Sequence, residues 1–349
     1  MAERAVNQPP VTSASAPPAS VTSSSATAPS ATEWKQRPEG GGRFAIWLIC
    51  SIASFCGRAI ARLFLFPITL YFLIRRGAER RASRDYLTRV FRRRASLIEV
   101  ARHIHCFAST ITDRVYLLSE HFRRFELRTH GLDPLHAIMD RGQGVLLLGS
   151  HLGSFEALRV LSLLRPNTKV RVVLDVSHNP AITSLLGALN PEIARTVIDA
   201  GQDGTAIVLA IREALEEGAL VTLLADRMHP GEKTVRAVFL GDNADFPVSP
   251  WLIASVLKVP VALCFGLFLG GNRYDLHFEV LTESLHIDRR HRQQQLAQWV
   301  QRYADRIEHH LRIAPYNWFN FYDFWKSART TGLGAELEHR GNGTGVATD

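Results

Sequence analysis

From Gly144 onward, short apolar runs of strand length alternate with stretches whose apolar residues recur at helical spacing. This alternation constrains the chain more than any other feature. VLLLGS after Gly144, Val170–Val176, Ala219–Asp226, Val235–Gly241, Val259–Leu269 and Asp275–Ser284 read as strands. Phe155–Leu164, Ile182–Leu189, Thr205–Gly218, Pro250–Lys258 and Arg289–Arg312 read as helices, and the residues after Gly241 as a proline-bounded loop. A strand buried on both faces is apolar throughout, and strands alternating with helices form a mostly parallel sheet covered on both sides. The expected fold class is therefore α/β, a mostly parallel sheet flanked by helices, with an N-terminal membrane-anchoring helical segment. Residues 95–140 read as helical, because apolar positions recur there at helical spacing.

Four regions are expected. Residues 1–41 are rich in Ser, Ala, Thr, Pro and Gly and read as a disordered arm, with too few large apolar groups to offset the entropy of ordering. They lack the basic-then-apolar order of a secretory signal. Residues 42–75 read as a membrane anchor or interfacial helices, 76–326 as the main domain and 327–349 as a flexible tail. The anchor comprises Phe44–Phe55 and Leu63–Ile74, separated by Arg58 and Arg62. A span needs roughly 20 apolar residues, and neither run reaches that alone. Two arrangements stay open: one tilted span with snorkelling arginines, or helices lying in one leaflet. A mean hydropathy of -0.02 excludes a polytopic membrane protein.

The net charge is +8, which fits nucleic acid, an anionic membrane or anionic substrates. The arginine cluster Arg75–Arg94 lies directly after the apolar segment, a placement that favours head groups on the cytoplasmic face. No zinc-finger, RRM or helix-turn-helix pattern is present, so no nucleic acid partner is expected. Cys50, Cys56, Cys106 and Cys264 form no CxxC pair and read as free thiols in a reducing compartment, with acylation of Cys56 as the alternative. His103 and His105 would point about 200° apart on a helix and would not share a metal. Neither a metal nor a cofactor is expected.

The chain has no phosphate loop, GxGxxG turn, GxSxG elbow or HExxH. Its informative stretch is LGSHLGSFE, Leu148–Glu156. His151 stands just past the carboxyl end of a buried strand, the edge of an open parallel sheet where ligands bind. Ser154 is placed to cap the following helix, with Glu156 in its first turn. A neutral imidazole suits general-base catalysis near pH 7, and a carboxylate on its far nitrogen would fix the tautomer. Glu156 is the expected partner. Acyl transfer to a hydroxyl is one use of such a pair, because the acceptor itself attacks the thioester.

GSHLGSFEALR resembles the Hxxxx[DE] block of the lysophospholipid acyltransferase superfamily. Asn179-Pro180 before AITSLLGAL, LLADR ending in Asp226-Arg227, VFLGDNADFPVSPWLIASVLKVPV and the Trp-rich Tyr316–Trp325 follow in the order seen in the late acyltransferases of lipid A biosynthesis. The resemblance spans roughly residues 42–326. It implies an inner-membrane acyltransferase of lipopolysaccharide biosynthesis with a cytoplasmic catalytic domain. Its donor would be an acyl-acyl-carrier protein (or acyl-coenzyme A), and its acceptor a glycolipid hydroxyl or amine. Arg92–Arg94 and Arg289–Arg292 are candidate docking points for an acidic carrier. Arg227 stands where the family has Gln, Ser249-Pro250 replaces Gly-Pro, and Asp175 occupies a position where the family often has Arg. These departures leave other acceptors open, such as a polyene pigment, an aminolipid or a different glycolipid. The candidate catalytic residues are His151 and Glu156. The candidate substrate-binding residues are Arg227 (thioester oxygen or acceptor phosphate), Asp226, Ser154 and Lys233, with Arg236 joining Lys233 toward an anionic substrate and His178 and His229 as loop residues lining the site. The alternative is a non-catalytic lipid-binding protein on the same fold.

Overall fold

The computed structural model describes residues 43–118, 123–159, 161, 165, 168–176, 187, 194–229 and 231–326, with the side chains of 43–56, 158 and 159 outside the description. The arm at 1–41, the tail at 327–349, Asn179-Pro180, His178, the 182–189 helix and the Cys50 and Cys56 thiols therefore lie outside the described residues.

Three helices come first: α1 (Arg43–Arg75), α2 (Gly77–Phe91) and α3 (Leu97–Leu118). A reciprocal capping box starts α3. Ser96 Oγ accepts the Glu99 amide at 3.2 Å and Glu99 Oε2 accepts the Ser96 amide at 2.8 Å, satisfying two donors that a helix start leaves open. The expected helix over 95–140 ends early. Strand β1 (Glu126–His130) and helix α4 (Leu132–Met139) follow, turned by Gly131 at φ +73°. ELRTH alternates exposed with half-buried residues, a period of two that is too short and polar to stand out against the helices around it.

The remaining elements are β2 (Val145–Gly149), β3 (Val170–Leu174), β4 (Val197–Asp199), α5 (Gly204–Glu216), β5 (Leu220–Leu224), β6 (Thr234–Phe239), β7 (Asp242–Pro247), α6 (Ser249–Leu257), β8 (Val261–Phe268), β9 (Arg273–Thr282) and α7 (Arg292–Ile313). Among the described residues, seven strands form one sheet in the order β1-β9-β8-β2-β5-β3-β4. Strands β8, β2, β5, β3 and β4 are parallel, β9 runs antiparallel to β8, and β1 is parallel to β9. The expected mostly parallel α/β sheet is what forms. One correction concerns β6, which leaves the sheet and pairs with β7 as an antiparallel hairpin. The sequence DNADFP, read as loop, is its second strand.

Every residue of β2 and β8 is buried. Side chains alternate between faces. Leu146 and Leu148 join Leu263, Phe265, Trp251 and α7 on one side, while Val145 and Leu147 join Ala262, Leu276, Leu135 and Val115 on the other. Burying each such side chain contributes about 1.5–3 kcal/mol. Central β2, paired along both edges, is therefore a firm base for the residues that follow it.

Helix α1 packs on α3 through buried Ala61, Leu65 and Thr69, one helical face at spacing of four. Gly57 breaks its helical geometry at φ 81° and ψ 167°. From Gly57 to Arg75 it is long and apolar enough to cross a membrane. Arg58 and Arg62 do not snorkel. Arg58 donates Nε and Nη2 to the two oxygens of Asp113 at 2.7 and 2.8 Å, and Arg62 Nη2 lies 3.4 Å from Oδ2. Asp113 is fully buried and also accepts the Tyr274 hydroxyl at 3.0 Å.

Candidate active site

Strands β2 and β5 are parallel neighbours with Gly149 opposite Leu224. His151 and Asp226 each lie two residues beyond that pair, so the strands deliver both to the same edge of the sheet. His151 Nδ1 stands 2.7 Å from Asp226 Oδ1, and the His151 amide donates to Oδ2 at 3.0 Å. Trp318 Nε1 and Asn320 Nδ2 also donate to Oδ2, at 3.1 and 3.0 Å. Asp226 is wholly buried. Burial alone would raise its pKa, but His151 and then Arg227 hold the carboxyl well below its ordinary range. An ionised carboxylate only accepts, so Nδ1 carries the proton and Nε2 keeps its lone pair. Among the described residues Nε2 has no protein partner, and the ring is one-quarter exposed.

The loop between β2 and this edge is stitched on two sides. Gly153 N donates to Asn317 O at 2.8 Å, Phe319 N to His151 O at 2.8 Å, and Ser154 N to Gly266 O at 2.8 Å. Gly153 has φ +73°, and a Cβ there would run into the Gly266 carbonyl oxygen. Gly153→Ala is expected to destabilise the protein by about 2 kcal/mol or more, read as a lowered Tm with activity lost in parallel.

Glu156 does not reach the imidazole. Instead of continuing as a regular helix, the chain makes a 3-10 turn at Phe155–Arg159. The Glu156 carboxylate lies 2.5 Å from Arg114 Nε on α3 and accepts the Ser154 hydroxyl at 3.0 Å. Ser154 is buried and holds Glu156 from within the turn. Arg227 Nε donates to Asn320 Oδ1 at 2.6 Å and Nη2 to Phe319 O at 2.9 Å. It thus braces the residue that holds Asp226, and leaves Nη1 without a partner among the described residues. Lys233 is exposed, and its backbone oxygen accepts Val248 N at 3.1 Å. Arg236 pairs with Asp245 at 3.1 Å, and the His229 amide is bonded to Glu232 at 2.8 Å. Sequence reasoning missed Asn320 and Arg114, and placed Trp318 along an acyl groove rather than on Asp226. The signal for Asn320 is a pair of asparagines within the otherwise aromatic YNWFNFY, because polar side chains in such a run need partners when buried.

Burial, and then the Arg227 guanidinium, push the His151 imidazole below its usual pKa against the pull of Asp226. The neutral, proton-accepting ring therefore persists to lower pH than free histidine. If it acts as a base, the acid limb of kcat/KM is expected below the ordinary imidazole value of about 6.5, measurable as a pH-rate profile.

A cavity of about 740 Å³ lies beside this site, between α1, α3 and the ends of β8 and α7. Phe66, Leu70, Leu73, Ile98, Phe268 and Ile313 line it, with Arg62, Arg102 and His105 among its polar groups. His151 and Asp226 are not in its wall, but Asn317 is, the residue whose oxygen anchors Gly153. His103 and His105 face different ways, as expected. His103 bonds Ser83 and the Trp318 oxygen at 2.8 and 2.9 Å, and His105 bonds Thr69 at 3.2 Å. Cys106 and Cys264 are free thiols.

No curated protein matches the chain. The family described as bacterial lipid A biosynthesis acyltransferase matches residues 94–327, from the foot of α3 past the Trp-rich segment. That is more than half of the chain, and the family implies acyl transfer to a lipid acceptor. The chain belongs to the bacterial lipid A biosynthesis acyltransferase family.

Proposed function

We propose that the protein moves a fatty acyl chain from a carrier thioester to a hydroxyl (or amine) of a glycolipid or related lipid acceptor. The site would lie at the cytoplasmic face of the inner membrane. The observation that carries this reading is the His151–Asp226 contact of 2.7 Å, which leaves Nε2 as the base. The acceptor oxygen attacks the thioester carbonyl carbon while its proton passes to Nε2. Asp226 stays ionised and stabilises the imidazolium. The Nη1 edge of Arg227 is placed to hold the developing oxyanion. Collapse of the tetrahedral intermediate breaks the carbon–sulfur bond, and the leaving thiolate takes the proton back from Nε2. In this reading Glu156 is a positioning residue, tying the turn after His151 to α3 through Arg114.

The surface supports a lipid acceptor. Leu63, Phe64, Phe66, Leu70, Tyr71 and Ile74 are exposed on α1, and Ile98 and Ile313 continue the patch around the cavity mouth. A contiguous apolar face of this kind marks a membrane contact. With Arg58 and Arg62 turned inward to Asp113, α1 suits a helix lying in one leaflet better than a span. The acyl chain would occupy the cavity. Of the arginines after α1, Arg89 is taken by Asp85 and Asp242 and Arg93 by Glu99. Arg81, Arg92 and Arg94 are exposed without a carboxylate partner among the described residues, left for head groups or an acidic carrier. Acyl carrier protein is the favoured donor.

The test uses the purified full chain in mixed micelles with an isotope-labelled acyl-acyl-carrier protein, acyl-coenzyme A in a parallel reaction, and a total lipid extract. Label should appear in one lipid class by mass spectrometry. No transfer from either thioester, with lipid binding retained, would establish the non-catalytic alternative instead.

A further inference from the structure

At the far edge of the sheet, β1 and β9 pair with His130 opposite His277 and Arg128 opposite Asp275. Along β9, Tyr274, Leu276 and Phe278 are buried while Asp275, His277 and Glu279 are only half-buried, so the polar three share one face. The His130 and His277 rings stack at 4.5 Å and 14°. His130 Nε2 lies 3.4 Å from Asp275 Oδ2. One donor atom from each of His130, Asp275 and His277 lies within 4.8 Å of the others. We propose that these three residues bind a divalent transition metal of the zinc class, at a site separate from the acyl-transfer site.

The geometry fits such an ion. Bonds of about 2.0–2.1 Å in a tetrahedron put neighbouring donor atoms about 3.4 Å apart. His130 and Asp275 already stand at that separation. The His277 donor needs to close by about 1.4 Å at most, and because the His130 and His277 rings stack nearly parallel, a shared ion requires the half-exposed His130 ring to turn out of the stack. Two imidazoles with one carboxylate suit zinc, cobalt or nickel, whereas magnesium and calcium prefer all-oxygen sets.

The surroundings add a second observation. His310 on α7 is buried, packs 4.7 Å from the His277 ring and donates through Nε2 to Glu279 at 2.8 Å. Its Nδ1 is buried without a hydrogen-bond partner among the described residues. Glu279 is held further by Arg306 at 2.6 and 2.7 Å. Through His310 this cluster packs against the His277 ring. The site lies apart from His151. Two strands separate β1 from β2, which run in opposite directions, so His130 and His151 leave opposite ends of the sheet. A metal here would join edge strand β1 to β9.

The test uses the purified full chain, stripped with EDTA and titrated with Co²⁺, read by visible absorption, with Zn²⁺ as competitor. One equivalent per chain is expected. His130→Ala and Asp275→Asn should each weaken binding by at least about tenfold, while His291→Ala leaves it unchanged. Zn²⁺ at about 100 times its Kd favours the folded state about a hundredfold and should raise Tm by about 5 °C in the wild type but not in His130→Ala. Because His130 is exposed, that variant is expected to fold, which far-UV circular dichroism checks. Weak binding of several equivalents, or one-equivalent binding that His130→Ala and Asp275→Asn leave intact, would overturn the site.

Discussion

His151→Ala and Asp226→Asn are each expected to lower kcat by about 10³–10⁴-fold, with little change in KM. The two should be non-additive when combined, because residues that act as one unit fail together. Asparagine at 226 keeps the shape and the acceptor oxygen for the Trp318 and Asn320 donors. What it loses is the charge that fixes His151 with its proton on Nδ1. The ring then turns or changes tautomer, and Nε2 is no longer a base. Glu156→Gln separates this reading from a His151–Glu156 pair. Its carboxylate is bound by Arg114 and Ser154, so the loss should be smaller and accompanied by a lowered Tm. Steady-state kinetics on all three variants decide the matter. A near-silent Asp226→Asn beside a dead Glu156→Gln would mean that the geometry seen at rest is not the one that reacts.

The second large effect is on stability. Asp113→Ala should destabilise the protein by about 3–5 kcal/mol, a drop in Tm of about 10 °C or more. Asp113 is fully buried and receives both Arg58 and Arg62, which are only 16% and 24% exposed. Removing it leaves two guanidinium groups uncompensated and the Tyr274 hydroxyl, which is buried, without its acceptor. The pair of arginines also sits over Phe125 and Phe268, at 4.9 and 5.4 Å, so those rings lose their cations if the helix swings away. Thermal unfolding in detergent measures the effect. A shift of only about 1 °C would show that apolar packing of Ala61 and Leu65 alone holds α1.

The central sheet could be read from one dimension because its strands are apolar throughout, VLLLG and VALCFGLF being plain cases. The edge strands β1 and β4 and the second hairpin strand β7 could not, although β6 could. β1 is half polar, β4 is three residues long, and β7 begins Asp-Asn-Ala-Asp, so propensity favours loop until pairing overrides it. His151 was legible from its place after a buried strand. Its carboxylate was sought five residues away, the distance a sequence displays, whereas the imidazole is met by a residue 75 positions on. Only strand register brings Asp226 there, and register is a property of pairing rather than spacing. Arg58 and Arg62 misled in a similar way. Arginines inside an apolar run suggest snorkelling until a buried carboxylate on a neighbouring helix is in view.

The in-phase pairing of β2 with β5 also separates two tasks that a local motif would have fused. His151 and Asp226 keep their distance as long as those two strands keep theirs. Apart from Gly153, Ser154, Glu156 and the strands themselves, the intervening chain is then free to vary in length without moving His151 from Asp226. A single-residue slip in either strand, by contrast, would turn its side chains to the wrong face and silence every such variant at once.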